Sequence, residues 1–162
     1  MADLPTDSVQ PLTLDLLPPA LELNNAHAQE LSLLDAARLA HLADWAWFAG
    51  AVGRLDAFVL AFDQTSAYDG ANYRWFRSRY ERFAYVDRIV VAPHARGRGL
   101  ARKLYEAVFD RARLDGLPLV TCEVNLDPPN PASDAFHAAM GFVPVGSAGL
   151  GAKTVRYFAR EL

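Results

Sequence analysis

Apolar blocks along this chain are separated by polar, turn-forming breaks, and the spacing inside each block predicts its element. Residues 1–11 carry two prolines and small polar residues and read as a flexible lead-in, so the domain proper is expected over 12–162. Residues 12–17 alternate weakly and predict a first strand, stopped by Pro18 and Pro19. Over residues 28–47, Leu31, Leu34, Leu39, Leu42 and Trp45 favour helix, with a break near Asp35 that predicts two short helices. Two apolar runs, 47–52 and 57–62, flank Gly53-Arg54-Leu55-Asp56 and predict a hairpin. Residues 63–83 are polar and aromatic without clean periodicity. They predict a long, partly helical excursion of the kind that often serves as a lid or binding loop.

The second half is more regular. Residues 85–91 predict a strand. Residues 100–114 predict a helix with Ala101, Leu104, Tyr105, Val108 and Ala112 on one face and Arg102, Glu106, Asp110 and Arg113 on the other. Gly116 and Pro118 stop it. Residues 119–124 predict a strand, broken by Asp127-Pro128-Pro129. Asn130 is placed to cap a short helix with Pro131 in its first turn, and Gly141 ends that helix before a strand from Phe142. Residues 153–159 predict the last strand.

Composition narrows the class. A chain of 162 residues with 52% hydrophobic residues fits one domain with a real core. The net charge of -3 argues against a dedicated nucleic-acid binder. Cys122 is the single cysteine, which excludes an intrachain disulfide and a cysteine-based zinc site. His27, His41 and His94 show no metal-ligand spacing, so no metal is expected. The first residues do not read as a signal peptide, and no apolar run is long enough to cross a bilayer, so a cytoplasmic protein without membrane contact is expected.

The chemistry concentrates between Val86 and Ala101. A strand runs into the basic loop Arg96-Gly97-Arg98-Gly99, and the loop opens a helix. Glycines at 97 and 99 let the backbone curl close to a ligand. The loop amides and the first helical turn are then unpaired donors at the positive end of the helix dipole, suited to a phosphate or pyrophosphate. Arg96, Arg98 and Arg102 add charge. A solvated basic turn and a minor nucleic-acid contact are the competing readings. The dinucleotide fingerprint does not fit and no Walker motif is present.

Arg96-Gly-Arg-Gly99-Leu-Ala101 resembles the R/Q-x-x-G-x-G/A signature of the GNAT acetyltransferase superfamily, and Val91-Ala-Pro93 resembles the V-x-P that precedes it there. Asn130, Ser133, Phe136, His137 and Gly141-Phe142 resemble the family's N-x-x-A-x-x-[LF]-Y-x-x-x-G-F, with Ser133 in place of alanine and His137 in place of tyrosine. The resemblance covers residues 85–142. It implies an α+β fold: a central mixed sheet of six or seven strands, helices on both faces, and the cofactor at a splay between the fourth and fifth strands. It also implies that the amides of Arg96, Gly97, Arg98, Gly99, Leu100 and Ala101 hold the pyrophosphate of acetyl-CoA. The pantetheine arm would then lie against the strand at Ile89, Val90 and Val91, near Asn125, Asn130 and Phe136.

Amine acetylation requires a base for the ammonium and stabilisation of the departing thiolate. Glu123 lies in Cys122-Glu-Val-Asn125, which resembles the strand carrying the general base of ribosomal-protein N-terminal acetyltransferases. The interval from Glu123 to His137 is longer here, the extra residues falling in the Asp127-Pro128-Pro129 loop. Glu123 is thus a base candidate or an edge carboxylate. His137 stands where the family places an acidic tyrosine, and is either the acid or a packing residue. Asp87 shares strand parity with Ile89 and Val91, so it points to the acetyl group or pairs with a nearby arginine. Tyr73 and Trp75 are either a substrate wall or core, and Asn24 and Asn25 either cap a helix or border the acceptor site. The expected reaction is direct transfer of acetyl to a primary amine of a small molecule or peptide. A non-catalytic acyl-CoA-binding domain, a transferase of another acyl group and a homodimer stay open.

Overall fold

The structure, a computed structural model, describes residues 7–27 and 31–162. Seven strands form one mixed sheet in the order β1-β2-β3-β4-β5-β7-β6. They are β1 (Val9–Pro11), β2 (Phe48–Val52), β3 (Ala57–Asp63), β4 (Ala84–Val91), β5 (Leu119–Asp127), β6 (Val143–Leu150) and β7 (Lys153–Glu161). The helices are α1 (Leu17–Ala26), α2 (Ala36–Trp45), α3 (Ala71–Arg77), α4 (Leu100–Leu114) and α5 (Pro131–Ala139).

Two apolar layers sandwich the sheet. On one side α4 buries Leu100, Leu104, Tyr105, Val108, Phe109 and Ala112 against Val59, Ala84, Val86, Val120 and Phe158. These α4 positions repeat at three and four residues, which turns one stripe of the helix onto the sheet. On the other side Ala20, Leu39, Leu42, Tyr73 and Phe76 cover Phe58, Leu60, Phe62, Tyr85 and Val90.

The N-terminal expectations need correction. The first strand is Val9–Pro11, inside the stretch read as a lead-in, and it pairs antiparallel with β2. Residues 12–17 are not a strand: Leu14–Leu16 form a 3-10 turn. Pro18 and Pro19 do not stop a strand but begin α1. Proline in the first helical turn forfeits no hydrogen bond, because those amides precede the ladder. The leucines that suggested alternation, Leu12, Leu16 and Leu17, pack on the second core. The helix expected over 28–47 is α2 alone, starting where Asp35 Oδ1 accepts from the Arg38 amide at 2.7 Å. Residues 28–30 of that expectation lie outside the described residues.

One pairing positions the site. β4 and β5 run parallel and pair at Ala84↔Val120 and Tyr85↔Thr121. Beyond Tyr85, β4 follows β3 to Val91, while β5 follows β7 to Asp127. The strands therefore separate and leave a cleft through the sheet. A bulge falls at the same level: Leu60 faces Arg88 and Ala61 faces Val86, so Asp87 is an extra residue in β4. The bulge reverses side-chain parity. Ala84 and Val86 belong to the α4 core, as Ile89 and Val91 do beyond the bulge, whereas Tyr85 and Val90 belong to the opposite core.

Candidate active site

The loop between β4 and α4 has the backbone that its glycines require. Gly97 and Gly99 lie at φ 80° and 71°, in the left-handed region, and a Cβ on either would meet no atom within 4 Å. Conformation rather than crowding demands glycine here, and the space outside the loop is open. The first helical bond runs from the Lys103 amide to Gly99 O at 3.1 Å. The amides of Leu100, Ala101 and Arg102 precede it and face outward at the helix N-terminus. Leu100 itself is buried in the α4 core, so its contribution to a ligand is its amide.

The arginines divide. Arg98 is tied to Asp7 and, at 3.1 Å, to Asp56, so its guanidinium anchors the loop to the β2–β3 turn rather than standing free for phosphate. Ala92 N donates to Asp56 O at 2.8 Å, in the same anchor. Arg96 Nη2 lies 3.5 Å from His27 Nε2 on the outer face, and Arg102 is exposed on the first turn of α4.

Two adjoining cavities occupy the cleft. The first, about 150 Å³, is lined by Ile89, Tyr105, Cys122, Asn130, Ser133 and His137, among others. The second, about 200 Å³, is lined by Tyr68, Asn72, Tyr85, Leu150 and Val155, among others. Asp87, Arg88, Glu123 and Asn125 line both.

Glu123 sits where the two meet. Tyr85 donates to Glu123 Oε2 at 2.7 Å. Asn72 donates to the same carboxylate, and is oriented by Tyr157, whose hydroxyl gives its proton to Asn72 Oδ1 at 2.9 Å. Burial pushes Glu123 up to about 8, the charge of Asp87 adds to the rise, and the bonds from Tyr85 and Asn72 oppose it. Asp87 has the other fate. Its Oδ1 accepts from the Tyr68 hydroxyl at 2.8 Å and its Oδ2 from Arg88 Nε at 2.6 Å. The side chains of this ion pair are 5% and 6% exposed. Two carboxylates thus share one cleft, one neutralised by a buried arginine and one by retaining its proton.

Asp87 therefore departs from its expected parity with Ile89 and Val91, because it is the bulge residue. Its partner is the neighbouring Arg88, an arginine pairing of the kind the competing reading expected. Arg88 continues to Asn24 Oδ1 at 2.8 Å, and Asn24 Nδ2 donates to Ser32 O at 2.9 Å. Asn25 exchanges two bonds with Leu34, at 2.9 and 3.0 Å. Asn24 and Asn25 thus fasten the chain after α1 over Arg88 and do not line either cavity. Tyr73 is fully buried, donating to Asp63 O at 2.6 Å, and is core rather than wall. Trp75 stacks on Tyr157 at 4.1 Å beneath Arg79, away from the cleft. Val90 turns its side chain into the second core, leaving its backbone in β4. Asn130 caps α5 through the Ser133 amide at 3.3 Å, and Phe136 packs beside Tyr105.

His137 is 6% exposed. Its Nδ1 lies 2.7 Å from Ser133 O, and its Nε2 2.8 Å from the Tyr105 hydroxyl. Burial lowers its pKa and favours the neutral ring.

Tyr68, Asn72, Tyr85, Arg88 and Tyr105 were not among the sequence candidates. Helix periodicity marks only Tyr105 as core; Tyr68 lies in the excursion without clean periodicity and Tyr85 at the start of a strand. All three rings pack in or against the core, and their hydroxyls reach the cleft. Asn72 had no signal beyond lying in an excursion expected to be functional. Among the described residues, no helix is long and apolar enough to cross a membrane, and no three His, Cys, Asp or Glu side chains gather to hold a metal.

Residues 59–142 match the model of the acetyltransferase (GNAT) family, slightly more than half of the chain, and the protein belongs to that family. Solved structures agree on the fold at low identity. Ard1 from Thermoplasma volcanium superposes with a TM-score of 0.74 at 15% identity, covering 96% of this chain and 97% of that one. The ribosomal-protein-S18-alanine N-acetyltransferase from Escherichia coli gives 0.69 at 17%, covering 95% and 92%. The protein yncA from Salmonella typhimurium, solved with its cofactor acetyl-CoA, gives 0.70 at 16%, covering 95% and 92%. No curated protein sequence matches the chain significantly.

Proposed function

We propose that this protein transfers the acetyl group of acetyl-CoA directly to a primary amine, with Glu123 as the general base. The carrying observation is Glu123 itself: a carboxylate at the opening of the β4/β5 cleft whose pKa is pushed up to about 8. A base for an ammonium works best when its own pKa lies near the working pH. The conjugate acid of an ordinary exposed glutamate would be too acidic to hold the proton.

The donor end is supported by the loop. Open space outside Gly97 and Gly99, together with the amides at the start of α4, suits a pyrophosphate. Arg96 supplies charge there, while Arg98 holds the loop in shape. The unpaired edges of β4 and β5 past Tyr85 offer backbone groups to a pantetheine arm. The thioester would reach the first cavity and the amine would enter from the second, so that Glu123 and Asn125 face both reactants. The amine class includes small molecules and peptide termini.

A panel of amines assayed by thiol release tests the proposal. Transfer to at least one amine is expected, with Glu123→Gln lowering kcat. Binding of acetyl-CoA with neither transfer nor slow hydrolysis would instead make the protein a non-catalytic acyl-CoA binder.

A further inference from the structure

The cleft wall beside His137 carries a phenol. Tyr105 stands on the buried face of α4, its ring held among Phe109, Phe136 and Phe142. Its hydroxyl lies 2.8 Å from His137 Nε2 and also contacts the Cys122 thiol. α4, α5 and β5 thus aim polar atoms at one point, and Tyr105, His137 and Cys122 all line the first cavity.

Proton placement decides which of them can donate. Ser133 O accepts and never donates, so at 2.7 Å it fixes the imidazole proton on Nδ1. A neutral His137 then presents a lone pair at Nε2, not a proton. Burial raises the Tyr105 hydroxyl well above its ordinary 10.0, so the phenol keeps its proton throughout the working range. The thiol of Cys122 is a weak donor.

We infer that Tyr105 is the catalytic hydrogen-bond donor to the departing sulfur of the thioester, and that His137 acts behind it as a positioning residue. This rests on the acetyl-transfer reading above. A phenol O–H lies in the plane of its ring and has two settings. At rest it points to His137 Nε2. As charge develops on sulfur, a charge-assisted bond, about twice as strong as a neutral one, draws it into the cavity. The nitrogen–carbon bond forms and the carbon–sulfur bond breaks, its electron pair leaving on sulfur. One proton of the ammonium has gone to Glu123. The second proton of the attacking nitrogen completes the thiol of coenzyme A, so Tyr105 ends the turnover protonated as it began.

The test titrates the thiol of coenzyme A bound to the wild type and to variants, by ultraviolet thiolate absorbance, and measures kcat in the same set. Tyr105→Phe keeps the ring and removes the hydroxyl. It should raise the thiol pKa of bound coenzyme A by about one unit and lower kcat about 10- to 100-fold, with Kd for coenzyme A little changed. A fluorotyrosine at 105, the same shape and more acidic, should shift the thiol pKa the opposite way. His137→Gln, which keeps an acceptor for the phenol, should retain most of kcat, and His137→Leu should fall between wild type and Tyr105→Phe. An unchanged thiol pKa and full kcat in Tyr105→Phe would make Tyr105 a packing residue. Failure of the wild type to bind coenzyme A would overturn the acetyl-transfer reading, and this one with it.

Discussion

Tyr85 is the last residue of β4 to pair with β5, and its hydroxyl donates at 2.7 Å to Glu123, two residues past its strand partner Thr121. The bond spans the point where the strands part. It favours the ionised carboxylate against the burial that raises its pKa. Removing it with Tyr85→Phe should push Glu123 higher still. The ascending limb of the kcat/KM profile, where Glu123 ionises, should move up by about one unit, since hydrogen bonds to charged groups are worth about 1.5–3 kcal/mol. An unmoved limb would mean that Tyr85 does not tune the base.

Gly99→Val tests the loop. Valine is strained at φ 71°, and its side chain fills space now open in front of the helix amides. Acetyl-CoA should raise the Tm of the wild type by mass action and leave that of the variant almost unmoved. An equal ligand-induced shift in both would dissociate the loop from cofactor binding.

Glu123 should also mark stability. Its folded pKa of about 8 stands above the ordinary 4.5, so between those values the folded state holds a proton that the unfolded chain has released. Stability from this group is present below about 4.5 and is lost as pH rises through 8. Glu123→Gln removes that loss. Its advantage over wild type in denaturant unfolding should grow from pH 5 to pH 9, reaching about 2–4 kcal/mol. A difference constant with pH would contradict the raised pKa.

Arg88 holds a buried carboxylate. With the Asp87 and Arg88 side chains 5% and 6% exposed, Arg88→Met would strand a charge and unfasten Asn24. The expected cost is about 3–5 kcal/mol by denaturant unfolding. A loss below about 1 kcal/mol would show that Asp87 finds another partner or simply takes a proton.

The parts readable from sequence are those that local chemistry dictates. The α4 stripe, the glycines at 97 and 99, and the Asn130 cap with Pro131 each follow from a rule acting within a few residues. What escaped depends on partners far along the chain. Pro18 and Pro19 stop a strand or start a helix according to what the preceding residues pack against. The bulge at Asp87 arises from register with β3 and cancels a parity argument that holds only for an unbroken ladder. Tyr105 sits 32 residues from His137 and looked like any core position of an amphipathic helix. Asn72 meets Glu123 only because α3 packs over β4.

The most direct test of the account is kcat against pH for the wild type and Glu123→Gln with one good amine acceptor. The wild-type rate should rise with pH through about 8 as Glu123 ionises. Glu123→Gln should lack that limb, be slower at neutral pH by about 10²- to 10⁴-fold, and recover toward wild type at high pH as free amine becomes abundant. A variant that matches the wild type across the whole range would contradict it, and would take the base role away from Glu123.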